Sequence, residues 1–114
     1  MLTRPLSDAP DFDQLRRNMV DNQLRTFSVT DHAVLAAMLA VRREDFTPAD
    51  RRAICYSDAP IRVRGDALMR TMLQPMVLAR MIQNAAIQRG DRVLDVAGAC
   101  GYSAAVLAQL AGEV

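Results

Sequence analysis

The sequence has no lysine and no tryptophan, and it has only one histidine and two cysteines among 114 residues. The two cysteines form no CxxC motif, so they give neither a disulfide framework nor, with one histidine, a zinc site of the usual type. No apolar run approaches the roughly 20 residues of a membrane span. The N-terminus also lacks the pattern of a signal peptide. We therefore expect no metal, no membrane association and a cytoplasmic location.

The net charge is small, and the charged residues are spread evenly along the chain. Fourteen cations, all of them arginine, stand against 13 acidic residues, which leaves a net charge of +1. This balance argues against a protein that binds nucleic acid by neutralising phosphates. Apolar residues make up 51% of the chain, which is enough for hydrophobic collapse. Composition therefore predicts one small folded domain with no nucleic-acid partner.

The chain is expected to begin with a flexible arm and then a helix. Residues 1–12 contain two prolines and little periodicity, which is typical of a mobile terminus. From residue 13 to about 26 the sequence predicts a helix. Leu15, Met19 and Leu24 fall roughly along one face of it.

Two further helices are predicted from their start signals. Thr30 precedes an apolar stripe of helical period and is expected to cap a second helix. Thr47 followed by Pro48 is another start signal, with threonine as cap and proline in the first turn. That short helix should reach about Ile54.

The middle of the chain predicts a short strand and a longer helix. Ile61 and Val63 alternate with arginines, which indicates a half-buried strand. Pro75 suits the first turn of a helix, and Gly90 suits a helix end or a turn. These elements complete an N-terminal helical region over residues 13–88, with an irregular middle segment.

Residues 89–114 predict the start of a cofactor-binding unit. A buried parallel strand is expected over 93–96, followed by a loop of small residues over 97–101 and a helix from Tyr102. Small residues let a ligand approach the backbone, and the helix N-terminus directs N–H groups at that ligand. Nucleotide-type cofactors use this arrangement. The alternative is a tight turn in an alanine-rich core.

The stretch from Val93 to Ala108 resembles the first motif of the protein-L-isoaspartate O-methyltransferase family, which uses S-adenosyl-L-methionine. The likeness extends over roughly residues 15–113 and keeps its order throughout. Further matching positions, in chain order, are Met19, Gln23, Thr30, Asp31, Val34, Leu35, Arg43, Glu44, Phe46, Tyr56, Asp58, Pro60, Ile61, Thr71, Gln74, Pro75, Gly90 and Asp91.

This resemblance implies both a fold and a reaction. The implied fold is α/β, with N-terminal helices leading into the first strand, loop and helix of a Rossmann-like sheet that is apparently truncated. The implied reaction transfers a methyl group from S-adenosyl-L-methionine to the carboxylate of isoaspartyl residues in damaged proteins. Its partner is therefore a protein or peptide that contains isoaspartyl residues.

On the cofactor side, the resemblance implies contacts from Asp95, Ala97, Gly98, Ala99 and Gly101. The family's three loop glycines align with Ala97, Ala99 and Gly101, so alanine stands at two of them. An alanine forced to positive φ costs ~1 kcal/mol or more. Asp95 also has a second reading, as a polar group at a strand end that loop N–H groups satisfy.

On the substrate side, the resemblance implies Thr71, Asp58 and Leu73. Leu73 stands where the family has a serine, and Thr71 is a nearby hydroxyl. Asp58 either faces the site or forms a turn. The alternative function is non-catalytic: a degenerate or truncated relative that acts as a structural or interaction fragment. Such a fragment could associate with itself through its unpaired strand.

Overall fold

The computed structural model describes residues 10–63, 70–96 and 100–114, and most of the predicted arm lies outside these ranges. The described residues form helices and one small antiparallel pair of strands. The helices are α1 (Phe12–Met19), α2 (His32–Ala40), α3 (Pro75–Ala85) and α4 (Tyr102–Ala108). The strands are β1 (Ile61–Arg62) and β2 (Thr71–Met72), with Ile61 opposite Met72.

The residues of the first predicted helix are all helical, but the type of helix changes along the segment. After α1 the chain continues as a π-helical turn, Val20–Leu24, and then as a 3-10 turn, Arg25–Phe27. Met19 and Leu24 are both buried. They are five positions apart, and the i→i+5 hydrogen bonding of a π turn keeps such positions on one face.

Helix α2 begins one residue later than predicted, because Asp31 caps it instead of Thr30. The Asp31 carboxylate accepts hydrogen bonds from the N–H groups of Ala33 (2.9 Å) and Val34 (3.4 Å). A carboxylate is also favoured at the positive end of the helix dipole.

The predicted threonine cap at Thr47 is wrong. Residues Ala49–Ile54 form a 3-10 helix that begins after Pro48 without a side-chain cap. The Thr47 hydroxyl instead donates to the carbonyl of Arg43 at 2.8 Å. It closes the preceding 3-10 turn, Arg43–Phe46, where a buried carbonyl needs a donor.

Helix α3 starts at Pro75 as predicted, but it ends before Gly90. Ala86 follows its last residue in the left-handed conformation, with φ of 53°. The turn at Gly90 is closed by Asp91, whose carboxylate accepts from the N–H of Gln88 at 2.8 Å. A left-handed alanine costs about 1–2 kcal/mol, so tertiary contacts of α3 set the end of this helix.

One side chain of α3 orders the loop before α2. The Gln83 amide oxygen accepts from the N–H groups of Thr30 (2.8 Å) and Asp31 (2.9 Å). Its amide nitrogen donates to the carbonyl of Ser28 at 2.9 Å. Both ends of the amide are therefore used, and the loop is fastened to a helix about 50 residues away in sequence.

The buried strand predicted at 93–96 is not formed. In this region the described residues hold a single parallel bridge between Arg92 and Glu113, and the Val93 N–H donates to the Glu113 carbonyl at 2.8 Å. Leu94 is 85% exposed and Val96 is 75% exposed. A parallel strand is buried only between neighbouring strands and helices, and the described ranges supply little of that cover.

The core lies where α2 and the π turn meet α3 and α4. Its fully buried apolar residues include Met19, Val20, Leu24, Val29, Met38, Cys55, Ile61, Pro75, Ala79 and Val106. Phe46 meets Tyr102 edge to face, with 5.9 Å between ring centres. No helix in the described ranges has the length and apolar character needed to cross a bilayer.

Candidate functional site

A cleft of about 390 Å³ lies between the β2–α3 junction and the segment that leads to α4. Its wall is mostly apolar. The lining side chains include Met72, Leu78, Met81, Ile82, Ile87, Val93, Tyr102 and Leu107. The volume falls within the range of small-molecule sites, which combine apolar walls with a few polar groups.

Three of the predicted site residues line this one cleft: Thr71, Leu73 and Asp95. Thr71 lies in β2, and Leu73 follows that strand with 44% of its surface exposed. Asp95 comes from the segment that leads to α4. The structure therefore brings together a hydroxyl, the position aligned with the family's serine and a carboxylate. Their roles toward ligands stay predictions.

Asp95 is held by a neighbouring hydroxyl. Its carboxylate accepts a hydrogen bond from the Ser103 side chain at 2.7 Å, and Ser103 lies in the first turn of α4. The bond therefore ties the segment before the loop to the helix after it. Ser103 was not singled out from the sequence, because nothing local marks a partner eight residues from an aspartate.

Asp58 does not line the cleft, but it contacts a residue at its edge. The Gln74 amide donates to the Asp58 carboxylate at 2.9 Å, and Gln74 is the cap position of α3. Among the described residues, the contact of Asp58 toward the cleft is therefore the one with Gln74. This contact fits a structural role for Asp58 in fixing the start of α3.

Gly101 precedes α4 with φ of +91°, the conformation that glycine adopts at little cost. A Cβ added there would lie 3.8 Å from the Phe46 ring, an ordinary contact. Backbone conformation, rather than space, is therefore what requires glycine at this position. The other predicted loop contacts, Ala97, Gly98 and Ala99, lie outside the described residues.

Arg43 lies behind the cleft, and sequence reasoning assigned it no role in the site. It is 0% exposed, and its guanidinium donates to the carbonyls of Cys55 and Leu73. The guanidinium carbon is 4.8 Å from the centre of the Tyr102 ring. Because arginine is rarely buried completely, no sequence pattern could place it here.

A buried polar cluster lies beside Arg43 and is centred on Tyr56. The Tyr56 hydroxyl donates to the Glu44 carboxylate and accepts from Arg16 Nε at 2.9 Å and from the Arg43 N–H at 3.1 Å. Arg16 also pairs with Glu44 at 3.2 Å. Burial opposes the charge on Glu44. The hydrogen bonds from Tyr56 and Arg42 and the charge of Arg16 nevertheless hold its pKa below the ordinary value.

Comparison with known proteins places this chain in a family. A family model for protein-L-isoaspartate(D-aspartate) O-methyltransferase matches residues 14–114. Protein-L-isoaspartate O-methyltransferase 1 of Rhodopseudomonas palustris (strain HaA2) is 42% identical over 111 residues, which are 96% of this chain and 44% of that protein. Protein-L-isoaspartate O-methyltransferase 2 of Anaeromyxobacter sp. (strain Fw109-5) is 46% identical over 100 residues, 87% of this chain and 40% of the relative. The chain therefore spans less than half the length of these curated relatives. It belongs to the protein-L-isoaspartate(D-aspartate) O-methyltransferase family.

Proposed function

We propose that this chain contributes to an S-adenosyl-L-methionine-dependent methyltransferase that acts on the carboxylate of isoaspartyl residues in proteins or peptides. The observation that carries the proposal is the shared cleft. In a member of this family, Thr71, Leu73 and Asp95 converge on a cavity of small-molecule size. The expected Rossmann-like sheet is part of the same proposal.

The residues of the cleft fit the proposed cofactor. Its apolar wall suits an adenine ring and the methylene groups of the methionine portion, while Asp95 and Ser103 supply hydrogen-bonding groups. When bound, S-adenosyl-L-methionine supplies a methyl group already activated on sulfur. The protein's main task is then to hold the substrate carboxylate in line. The Thr71 hydroxyl can donate a hydrogen bond to that carboxylate, and the apolar wall excludes water.

The first test is a calorimetric titration of the chain with S-adenosylhomocysteine. We expect saturable binding with a micromolar dissociation constant, which corresponds to a favourable binding free energy of about 8 kcal/mol. Asp95→Asn should weaken it about tenfold, because a charged acceptor is lost. Asp50→Asn, at an exposed carboxylate away from the cleft, is the matched control and should bind like the parent. A folded chain that does not bind the compound contradicts the proposal.

Leu73→Ser is expected to maintain or raise methyl transfer to an isoaspartyl peptide, since it supplies a hydroxyl to the substrate side. The Leu73 side chain is half exposed, and its backbone carbonyl makes the contact with Arg43. The free energy of unfolding should therefore change by no more than about 0.5 kcal/mol. The assay compares isoaspartyl with aspartyl peptides, with Leu39→Ser as a control at another exposed leucine. A clear loss of transfer by Leu73→Ser alone would show that the leucine side chain itself is needed.

A second candidate function is an interaction fragment, and the exposure of Leu94 and Val96 favours it. These residues are two positions apart, so an extended segment presents both on the same face. We propose that this segment pairs with the same segment of a second copy. Light scattering over a concentration series should then detect a dimer that Leu94→Asp abolishes and Ile54→Asp, at another exposed apolar residue, does not. A monomer at every concentration excludes this candidate.

A further inference from the structure

We propose that Arg43 is a positioning residue that holds the two walls of the cleft in register. One wall carries Leu73 on the substrate side, and the other begins with Tyr102 on the cofactor side. Arg43 does not line the cleft, so it acts through these two residues. The assignment of one wall to the substrate and the other to the cofactor rests on the proposed function. The role of Arg43 in positioning the two walls can be tested without that assignment.

The contact with the substrate side is made through the backbone. An Arg43 terminal nitrogen donates to the Leu73 carbonyl at 3.0 Å, and Arg43 Nε donates to the carbonyl of Cys55. The guanidinium is planar, so its donors have fixed relative directions. A single rigid group therefore fixes the distance between the segment after the 3-10 helix Ala49–Ile54 and the segment that enters α3.

The contact with the cofactor side is made through an aromatic ring. Tyr102 is buried and is the first residue of α4, directly after Gly101. The Arg43 guanidinium carbon lies 4.8 Å from its ring centre, within the range of a cation–π interaction, and Phe46 packs edge-on against the same ring. The position of Arg43 therefore sets where α4 begins relative to Leu73.

Simple packing does not account for a charged residue at this place. Among the described residues no carboxylate contacts Arg43, and its Nη1 is buried without a hydrogen-bond partner. Burying a cation without a counter-charge is unfavourable. An apolar side chain would fill the same space without that penalty. What an apolar side chain could not do is join the Leu73 carbonyl and the Tyr102 ring.

The test compares Arg43→Met and Arg43→Lys with Arg16→Met. Arg16 is the matched control, because it is also a buried arginine but contacts no residue of the cleft. Hydrogen exchange is followed in peptides that cover residues 71–74 and 101–105, with urea used to bring all variants to the same global stability. The same proteins are titrated with S-adenosylhomocysteine.

We expect Arg43→Met to speed exchange about tenfold in both peptides and to weaken S-adenosylhomocysteine binding about tenfold, whereas Arg16→Met changes neither selectively. Arg43→Lys keeps a cation near Tyr102, but it loses the pair of guanidinium donors that bond the carbonyls of Cys55 and Leu73. Hydrogen exchange should therefore become faster only in the peptide that covers residues 71–74. If Arg43→Met does not fold, this asymmetry in Arg43→Lys decides the question. Exchange profiles that match those of Arg16→Met would overturn the proposal. If the parent chain fails to bind the ligand, the proposed function falls while the exchange data still decide the role of Arg43.

Discussion

Glu44→Ala is expected to lower the free energy of unfolding by about 3–5 kcal/mol, the usual cost of breaking a buried ion pair. Glu44 is buried and accepts hydrogen bonds from the Tyr56 hydroxyl and from Arg16 at 3.2 Å. Its removal leaves the buried Arg16 with only the exposed carboxylate of Asp13 as a charged partner among the described residues. The Tyr56 hydroxyl also loses the group to which it donates.

Urea unfolding monitored by circular dichroism measures this loss. The control is Asp21→Ala, which removes an ion pair with Arg25 in which both side chains are at least half exposed. Exposed pairs contribute little, so the control should lose no more than about 0.5 kcal/mol. A loss of similar size in the two variants would show that the Tyr56 cluster does not stabilise the fold.

The same residue predicts how stability depends on pH. The folded pKa of Glu44 is lowered, so the unfolded chain takes up this proton more readily than the folded chain. The stabilisation is therefore complete above the ordinary value of 4.5 and is lost as the pH falls through the lower folded pKa. Glu44→Gln should flatten this acidic limb of the stability curve. An unchanged slope in that variant would assign the acid sensitivity to other carboxylates.

Gly101→Val is expected to cost about 2 kcal/mol or more and to abolish S-adenosylhomocysteine binding. Gly101 has φ of +91°, a region that is unfavourable for residues with a Cβ and most unfavourable for β-branched ones. Relief of that strain must move the start of α4, which carries Tyr102 and Ser103 in the cleft wall. Thermal unfolding and calorimetric titration measure the two effects.

Gly90→Val is the matched control for this substitution. Gly90 has no heavy atom within 4 Å of an added Cβ and does not have positive φ. We expect it to change ligand affinity little. If Gly101→Val destabilises the chain yet binds the ligand normally, the cofactor does not contact the start of α4, and the proposed site is wrong.

Periodicity predicted α1, α2 and α3 because each buries one face against the core. It did not predict which residue caps α2 or where α3 ends, because neighbouring groups compete for these positions. Asp31 replaces Thr30 as a cap because a charged acceptor was available one residue later. Helix α3 ends at Ala85, and Gly90 lies in the turn beyond it, which was the other role predicted for this glycine.

The candidate site was harder to predict than the helices, because its formation depends on tertiary structure. The pattern over Val93, Leu94 and Val96 predicts burial, but burial needs neighbours that a local pattern does not provide. Resemblance to the family predicted Thr71, Leu73 and Asp95 as site residues, and these three residues line one cleft. The buried Arg43 could not be foreseen, because its partners lie 12 and 30 residues away in sequence.

The contacts of Gln83 have a consequence for the order of events in folding. The N–H groups of Thr30 and Asp31 and the carbonyl of Ser28 are satisfied by a side chain more than 50 residues later. Closing a loop of that length carries an entropic cost that must be met before these contacts form. The connection between α1 and α2 therefore reaches its final shape only once α3 has docked.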